Sequence, residues 1–549
     1  MKIKSYSKFW HRIFTVRYEK CWLGIVVLIV IISRWLGRSL YLYNTDSVLY
    51  ALSLDKYDVS IQQPHPPGYA LYVLFTKPIY WLVNDANTAL VITSIIFSVL
   101  SVYAIFYLAK KITNIKIAWV SLGLIVFAPL FWFHGQVAMN YVTDVFFSAW
   151  VGFHLYDALT SDQPKKRWRS LMWASIALGL GGGFRPTLVL FMAPLWLWSI
   201  WVQRRWRIGL INFGILSGIT LSWLLPAAYL SGGLIDFWHA VAAMFFTKSG
   251  IYDFSVFSGD FWVRLGQHLR WIAEHLVVNF GLAAVLVAIF IIYLFAPHWE
   301  KLKSDRLTSL FWLVWIMPAL IFYTLIIFNM SGYLLVILPA VTIVIAGALV
   351  GLAKQIVAVL PQKQMQANQL RMIVIMMILV MGVNILVYIG QPTGFVEMQR
   401  STHSSIARDN YIWQTVFPLI RENFHPQSTI IGIEKPYVSW GLQHFQYYLP
   451  EYLTYGKFFG GFYNPDNKAW FMAYQRQITL IDNLVIAPTD KKLIIIRNNW
   501  GQVTPPLSRI VIPGNLGELG YYDLTDLGTR ELVNDLDSIQ VIDEQINKD

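Results

Sequence analysis

The residues that can do chemistry are two carboxylates and a few cations, each beside a long apolar run. Asp46, in Tyr43-Asn44-Thr45-Asp46-Ser47-Val48-Leu49-Tyr50, follows the first such run by a few residues. A carboxylate at the edge of an apolar environment is partly desolvated and can take a proton from a hydroxyl that is becoming a nucleophile. The commoner use of a loop Asp there is to cap the helix that Ser47 begins. Asp144, in Met139-Asn140-Tyr141-Val142-Thr143-Asp144, stands just inside another apolar run, where an ionisable side chain is costly and signals function. It too has a capping alternative, shared with Thr143. Arg34, Arg38 and Arg185 lie at similar depth and can hold an anionic phosphate beside a hydroxyl acceptor, although single arginines near helix ends more often snorkel. His65-Pro66-Pro67-Gly68 stiffens the chain and starts a helix, since Pro fixes φ and Gly permits close backbone approach. His65 alone is more often a hydrogen-bonded structural histidine than a base or metal ligand.

These residues need elements to hold them, and composition says which. Of 549 residues 56% are hydrophobic and 13% charged, too few charges to cover a soluble globule of this size. The chain is therefore expected to face lipid. The 24 Trp, 29 Tyr and 34 Phe suit the two headgroup levels. The +12 charge comes in short clusters between apolar runs rather than along a stripe, which fits membrane topology and not nucleic acid. Cys21 is the single cysteine, so neither an internal disulfide nor a thiolate metal cluster can form. The basic start (Lys2 to Lys20) resembles a secretory signal, but bulky, charged Ser33-Arg34-Trp35-Leu36 stands where a cleavage site would be, which predicts a retained helix.

About eleven apolar runs, near 20–40, 89–109, 117–134, 142–159, 170–184, 186–203, 208–230, 276–296, 309–328, 333–353 and 372–390, are expected to span the membrane. Starting from a cytoplasmic N-terminus, every basic cluster falls on the cytoplasmic side: Lys110, Lys111 and Lys116; Lys165 to Arg169; Arg204 to Arg207; Lys301 to Arg306; Lys354 to Arg371. The pattern requires a break at Gly181-Gly182-Gly183-Phe184-Arg185-Pro186 that turns at the outer face.

Three segments are then exterior: about 41–88, about 231–275, read as amphipathic helices on the outer leaflet, and everything from about 391. The last reads as soluble α/β, with strands at Thr429–Ile433 and Lys492–Ile496 and helices at Ala407–Arg421 and Ser439–Tyr448. The expected architecture is a polytopic α-helical membrane module over 1–390 followed by an extracytoplasmic α/β domain over 391–549.

The order of these pieces resembles the GT-C glycosyltransferases, in particular bacterial relatives of protein O-mannosyltransferases and aminoarabinose transferases. The resembling parts are Thr45-Asp46-Ser47, His65-Pro66-Pro67-Gly68-Tyr69, Pro129-Leu130-Phe131-Trp132 leading to Tyr141-Val142-Thr143-Asp144, the Gly183-Phe184-Arg185-Pro186 break, and Gly332-Tyr333-Leu334-Leu335 with Pro339. The resemblance covers about the first 390 residues. It implies transfer of a sugar from a polyprenyl-phosphate donor to a hydroxyl acceptor (protein, glycolipid or wall polymer) at the outer face, with inversion. Asp46 would be the base and Asp144 a second acidic residue; His65, Pro66, Pro67, Gly68, Arg34, Arg185 and Tyr333 would shape the donor site. Two departures stand out: Asp46-Ser47 replaces a frequent Asp-Glu pair, and Gly332 stands where many relatives carry Arg.

The chemistry agrees with that assignment. A phosphate leaving group needs cationic neutralisation rather than a general acid, so one carboxylate and an Arg-rich rim suffice, whereas glycosidases need two carboxyls flanking the bond. A flippase or transporter of lipid-linked saccharides would place ionisable groups near the midplane, and a surface-assembly scaffold would tolerate Asp46→Asn. No cofactor is assigned. Asp46, Asp144, His65 and His239 leave a divalent metal open, with no close ligand spacing to support one.

Overall fold

The computed structural model describes residues 19–246, 254–295, 306–327, 330–358, 365–390, 401–434, 442–458, 461–463, 480–481, 483–486, 490, 492–496, 508–512, 517–524, 530–533 and 539–541. The helices among these begin with α1 (Glu19–Leu36), α2 (Thr45–Asp55), α3 (Ala70–Val83), α4 (Ala86–Ile112), α5 (Ile115–Val126), α6 (Pro129–His134), α7 (Val142–Thr160), α8 (Pro164–Phe184) and α9 (Thr187–Val202). They continue with α10 (Trp206–Leu230), α11 (Leu234–Phe246), α12 (Phe261–Phe295), α13 (Arg306–Leu325), α14 (Leu338–Ala358), α15 (Met365–Ile389), α16 (His403–Asn423) and α17 (Leu442–Tyr448). Six of them, within 86–112, 206–230, 261–286, 306–325, 338–358 and 368–389, are long and apolar enough to cross a bilayer. The chain is an integral membrane protein.

Local chemistry sets the helix ends. Asn44, Asp85 and Asn114 are extended N-caps whose side-chain oxygens accept amides of the first turns of α2, α4 and α5. The apolar run at 117–134 is not one helix: it stops at Phe127, and Pro129 opens the separate α6. The segment 231–275 departs from expectation in the same way, because among its described residues only α11 is an α-helix of its own. From Phe261 the backbone is already part of the single 35-residue α12. The Gly-Phe-Arg-Pro break falls where expected, between α8 and α9, because Pro186 cannot continue the ladder.

The chain divides into two compact units, one of residues up to 38, 69–226 and 245–406, the other of 39–68, 227–244 and 407 onward. In the first, α4, α7 and α8 pack side by side around Phe97, Phe147 and Phe184, with ring centroids 4.9–5.8 Å apart. Several buried polar groups here are paired: Ser94 Oγ donates to the Val137 carbonyl (2.9 Å), and Trp196 Nε1 donates to Ser175 Oγ (2.8 Å), which reaches Asn212 Oδ1 (2.9 Å). Lys110 pairs with Glu19 (2.6 Å), and Lys111 and Lys166 pair with Asp157. These contacts bring the start of α1, the ends of α4 and α7 and the start of α8 to one side, as the charge pattern requires.

The second unit holds α2, α11, most of α16, α17 and two sheets. The strands are β1 (Thr429–Glu434), β2 (Leu453–Phe458), β3 (Gly461–Tyr463), β4 (Leu480–Ile481), β5 (Asn483–Ile486), β6 (Lys492–Ile496), β7 (Ser508–Ile512), β8 (Gly517–Asp523), β9 (Arg530–Val533) and β10 (Ile539–Val541). Seven of them run in the order β4-β3-β2-β1-β6-β8-β7 with β2, β1 and β6 parallel; β10-β9-β5 form a smaller antiparallel sheet. Central β1 is buried on both faces (Ile430, Ile431, Ile433), which is why Thr-Ile-Ile-Gly-Ile reads as a continuous apolar run. The helix expected over 407–421 lies within α16. The one expected over 439–448 is seen from Leu442, with 439–441 outside the described residues.

Candidate active site

Asp46 is the second residue of α2 and is not its cap. Asn44 fills that role, its Oδ1 accepting the Ser47 amide and the Ser47 hydroxyl, each at 3.0 Å. The capping alternative for Asp46 is thereby replaced: a short Asx side chain two residues upstream satisfies the orphan amides. The Asp46 carboxylate is 26% exposed and its Oδ1 lies 3.8 Å from Nδ1 of His65, an ion pair when the imidazole is protonated. The ring of His65 sits 5.4 Å from that of Tyr50 on α2.

The Pro-rich loop delivers His65. Asp58 and Gln63 exchange backbone hydrogen bonds across its base, and Val59 N donates to Ser231 Oγ (2.9 Å). Gly68 has φ +104°, and a Cβ there would lie 2.7 Å from the Tyr57 hydroxyl and 2.9 Å from Val59 Cγ2. Only glycine fits, and the Tyr57 hydroxyl donates to its carbonyl (2.8 Å). Pro66 and Pro67 thus fix the approach of His65 to Asp46, while Gly68 lets the chain turn into α3. His239 is on exposed α11.

Asp144 is the third residue of α7, 1% exposed, with Oδ2 3.1 Å from Arg185 Nε. The α8–α9 break positions the cation: Arg185 leaves the helix in extended conformation, its amide still bonded to Gly181 O, and its Nε also donates to Thr187 Oγ1 (3.2 Å). Asn140 Nδ2 holds the break by donating to the Phe184 carbonyl (3.2 Å). The Arg185 guanidinium lies 4.1 Å over the Tyr141 ring and 5.5 Å from that of Tyr333, which stacks on Tyr323 at 4.9 Å and 5°. Its Nη1 is buried and has no hydrogen-bond partner among the described residues. This is a cation in an aromatic collar with donor capacity to spare.

Gly332 belongs to the same arrangement. A Cβ there would fall 2.2 Å from Tyr141 Cγ, so the residue before Tyr333 has to be glycine for Tyr141 to lie beneath Arg185. His134 completes the edge, its ring 5.0 Å from Tyr141 and its Nε2 3.3 Å from Ser331 Oγ.

Arg34 is fully buried. Its Nη2 donates to the Val126 carbonyl (2.6 Å), its Nη1 to Ser33 Oγ (2.9 Å), and its guanidinium lies over Phe131 and Trp132. Those bonds satisfy the carbonyl freed where α5 ends. Arg38 folds over Trp35 at 3.9 Å.

The expected residues therefore form two clusters, Asp46 with His65 in the second unit and Asp144 with Arg185 and Tyr333 in the first. Tyr141 and Tyr323 were not expected; Tyr141 sat inside the quoted Asp144 motif, but nothing in its spacing marked it as a ring beneath a cation. Among the described residues no group of three or more His, Cys, Asp or Glu side chains converges as a metal-ligand set.

Residues 64–229 match the family described as dolichyl-phosphate-mannose-protein mannosyltransferase. No curated protein matches the sequence. Among solved structures, ArnT from Cupriavidus metallidurans in the apo state aligns with TM-score 0.57 and 13% identity over 93% of this chain and 99% of that one. The same protein bound to undecaprenyl phosphate aligns with TM-score 0.54 and 13% identity over 91% and 97%. At that identity the likeness is one of fold. That fold carries a mannosyltransferase-family segment that spans the Pro-rich loop, Asp144 and Arg185.

Proposed function

We propose that the protein transfers a sugar from a polyprenyl-phosphate donor to a hydroxyl acceptor at the outer face of the membrane, with inversion at the anomeric carbon and Asp46 as general base. The observation that carries the reading is Asp46 itself. It is a partly exposed carboxylate in a first helical turn already capped by Asn44, with His65 fixed at 3.8 Å by a purpose-built loop. In the reaction the acceptor oxygen attacks the anomeric carbon as its proton passes to the Asp46 carboxylate. The bond from that carbon to the phosphate oxygen breaks, and the electron pair leaves with the phosphate. Arg185 is the cation chosen for the phosphate charge, because its buried Nη1 has no hydrogen-bond partner among the described residues, whereas the Arg34 guanidinium is engaged with Val126, Ser33 and two rings. Asp144 fixes the orientation of Arg185, and Tyr333 closes its collar.

The donor class is supported by the undecaprenyl phosphate bound to the ArnT fold and by the dolichyl-phosphate-mannose name of the matching family. The outer-face assignment is supported by the second unit: its three stretches, 39–68, 227–244 and 407 onward, all lie within or border segments that the charge pattern puts outside.

The test incubates purified protein with labelled polyprenyl-phosphate mannose, glucose and aminoarabinose and a panel of protein, glycolipid and wall-polymer acceptors. Product of inverted configuration, formed by wild type and lost in Asp46→Asn, is expected. Intact donors that are carried between leaflets by both proteins would replace the enzyme by a flippase. For the face, Lys56→Cys and Tyr411→Cys in a Cys21→Ser background should label from outside with a membrane-impermeant maleimide. Labelling only from inside would invert the topology.

A further inference from the structure

The four residues that lead from Ser39 to Leu42, ending two positions before the cap of α2, are bound by side chains from far along the chain. Leu40 N donates to Asn410 Oδ1 (2.8 Å), Leu42 N donates to the Tyr448 hydroxyl (2.8 Å), and the Leu42 carbonyl accepts from His444 Nε2 (3.0 Å). Within the segment Ser39 Oγ donates to Tyr41 O (2.6 Å). Between the two flanking amides, the Tyr41 ring enters the core of α16 and α17, 6.0 Å from Phe417 and 5.3 Å from Tyr448.

The partners are themselves rigidly held. His444 is fully buried and sandwiched against Trp413 at 5.3 Å and 10°, with Trp413 stacked in turn on Phe417 at 4.8 Å and 11°. The helix that bears Asp46 rests on the same bed, since α2 packs on α17 and its Leu52 adjoins the cluster of Trp413, Phe417, Phe445 and Leu449. A core of this density has discrete side-chain positions and little give. Both ends of the Asp46 turn are therefore referenced to α16 and α17, the incoming segment by hydrogen bonds and the outgoing helix by packing.

From this we infer that Asn410, His444 and Tyr448 are positioning residues for the general base: the C-terminal α16–α17 pair is the bed that sets where the Asp46 carboxylate stands. The inference rests on the assignment of Asp46 as base made above. A base misplaced by 1 Å costs roughly two orders of magnitude in rate. The turn that carries Asp46 is thus held by residues some four hundred positions further along the chain, and α16 and α17 are a working part of the base's setting. Tyr448→Phe isolates one contact, because it removes a hydroxyl and leaves the ring in the core.

The test uses full-length protein and whichever polyprenyl-phosphate sugar of the panel is turned over. Tyr448→Phe, Asn410→Ala and His444→Ala should each lower kcat at least tenfold while KM for the lipid donor stays within twofold. Asn410→Asp and His444→Gln, which keep the acceptor oxygen and the donor nitrogen, should recover most of the activity. Amide exchange at Leu40 and Leu42 should quicken in the first set and not in the second. Variants that lose this protection yet keep kcat within twofold, or conservative variants as inactive as the alanines, would overturn the inference. Loss of activity in Asp46→Asn alone, with all three positioning variants active, leaves the proposed function standing and removes this inference. An active Asp46→Asn removes both.

Discussion

Arg185 Nε lies 3.1 Å from Asp144 Oδ2 while its guanidinium carbon covers Tyr141 at 4.1 Å, so one cation is held by a carboxylate from the side and by a ring from below. Both ionic partners are at most 6% exposed. Removing one leaves the other as an uncompensated buried charge, which typically costs about 3–5 kcal/mol. Arg185→Ala and Asp144→Ala are each expected to lower the unfolding midpoint in detergent markedly, and the double replacement Asp144→Asn/Arg185→Gln to recover part of the loss. A double variant as unstable as the sum of the singles would mean that the two side chains do not depend on one another.

Gly332→Ala tests the collar sterically. The added methyl would begin 2.2 Å from Tyr141 Cγ. Relief requires Tyr141 to move from under Arg185, at a cost typical of overpacking, about 1–3 kcal/mol. Donor KM should rise more than kcat falls, since the collar is the proposed anion site. Unchanged kinetics and stability would show that Tyr141 has room to spare.

For Asp46 the expected effect of Asn substitution is a fall in kcat of about 10²–10⁴-fold, the range of general-base contributions, with donor KM kept within twofold. Asp46→Glu should retain a measurable fraction, because the base survives at a displaced position. Stopped-flow or quench measurement of single turnovers separates this from slow product release. A kcat for Asp46→Asn within threefold of wild type would end the assignment.

Asp409, on α16, gives a pH dependence of known sign. Burial raises its carboxyl from the ordinary 3.8 to about 6, against the opposing pull of Arg408 at 3.2 Å. A folded-state pKa above the unfolded one means that the native protein binds the extra proton. The contribution to stability is therefore full below about pH 4 and is lost as pH rises through 6, on the order of 2–3 kcal/mol. Asp409→Asn should flatten the stability profile between pH 4 and 7 and be the more stable form at pH 7. Parallel profiles for wild type and variant would refute the assignment.

What the sequence disclosed, and what it hid, follow from the range over which each force acts. Six of the eleven expected spans were legible as long apolar helices because hydropathy is a property of short windows, and the Gly-Arg-Pro break because proline acts on its own neighbours. Asp46 and His65 stood out as chemistry and are neighbours in space. The break at Phe127 was hidden because both sides are apolar, and the length of α12 because polar Arg264, Gln267, Arg270 and Glu274 look like loop residues when only lipid-facing turns are sought. The partners of Arg185 and of the Leu40–Leu42 segment come from distant helices. No local pattern encodes them.

The length of α12 has a mechanical consequence. Its 35 residues extend for about 52 Å at 1.5 Å per residue, against roughly 30 Å of hydrocarbon, so about 20 Å of it stands clear of the acyl chains. Because a helix this long is stiff, a change of tilt of roughly 10° at the lipid-embedded end would move a point about 20 Å further along it by about 3–4 Å. Bilayer thickness can therefore act on this helix as a hand acts on a lever.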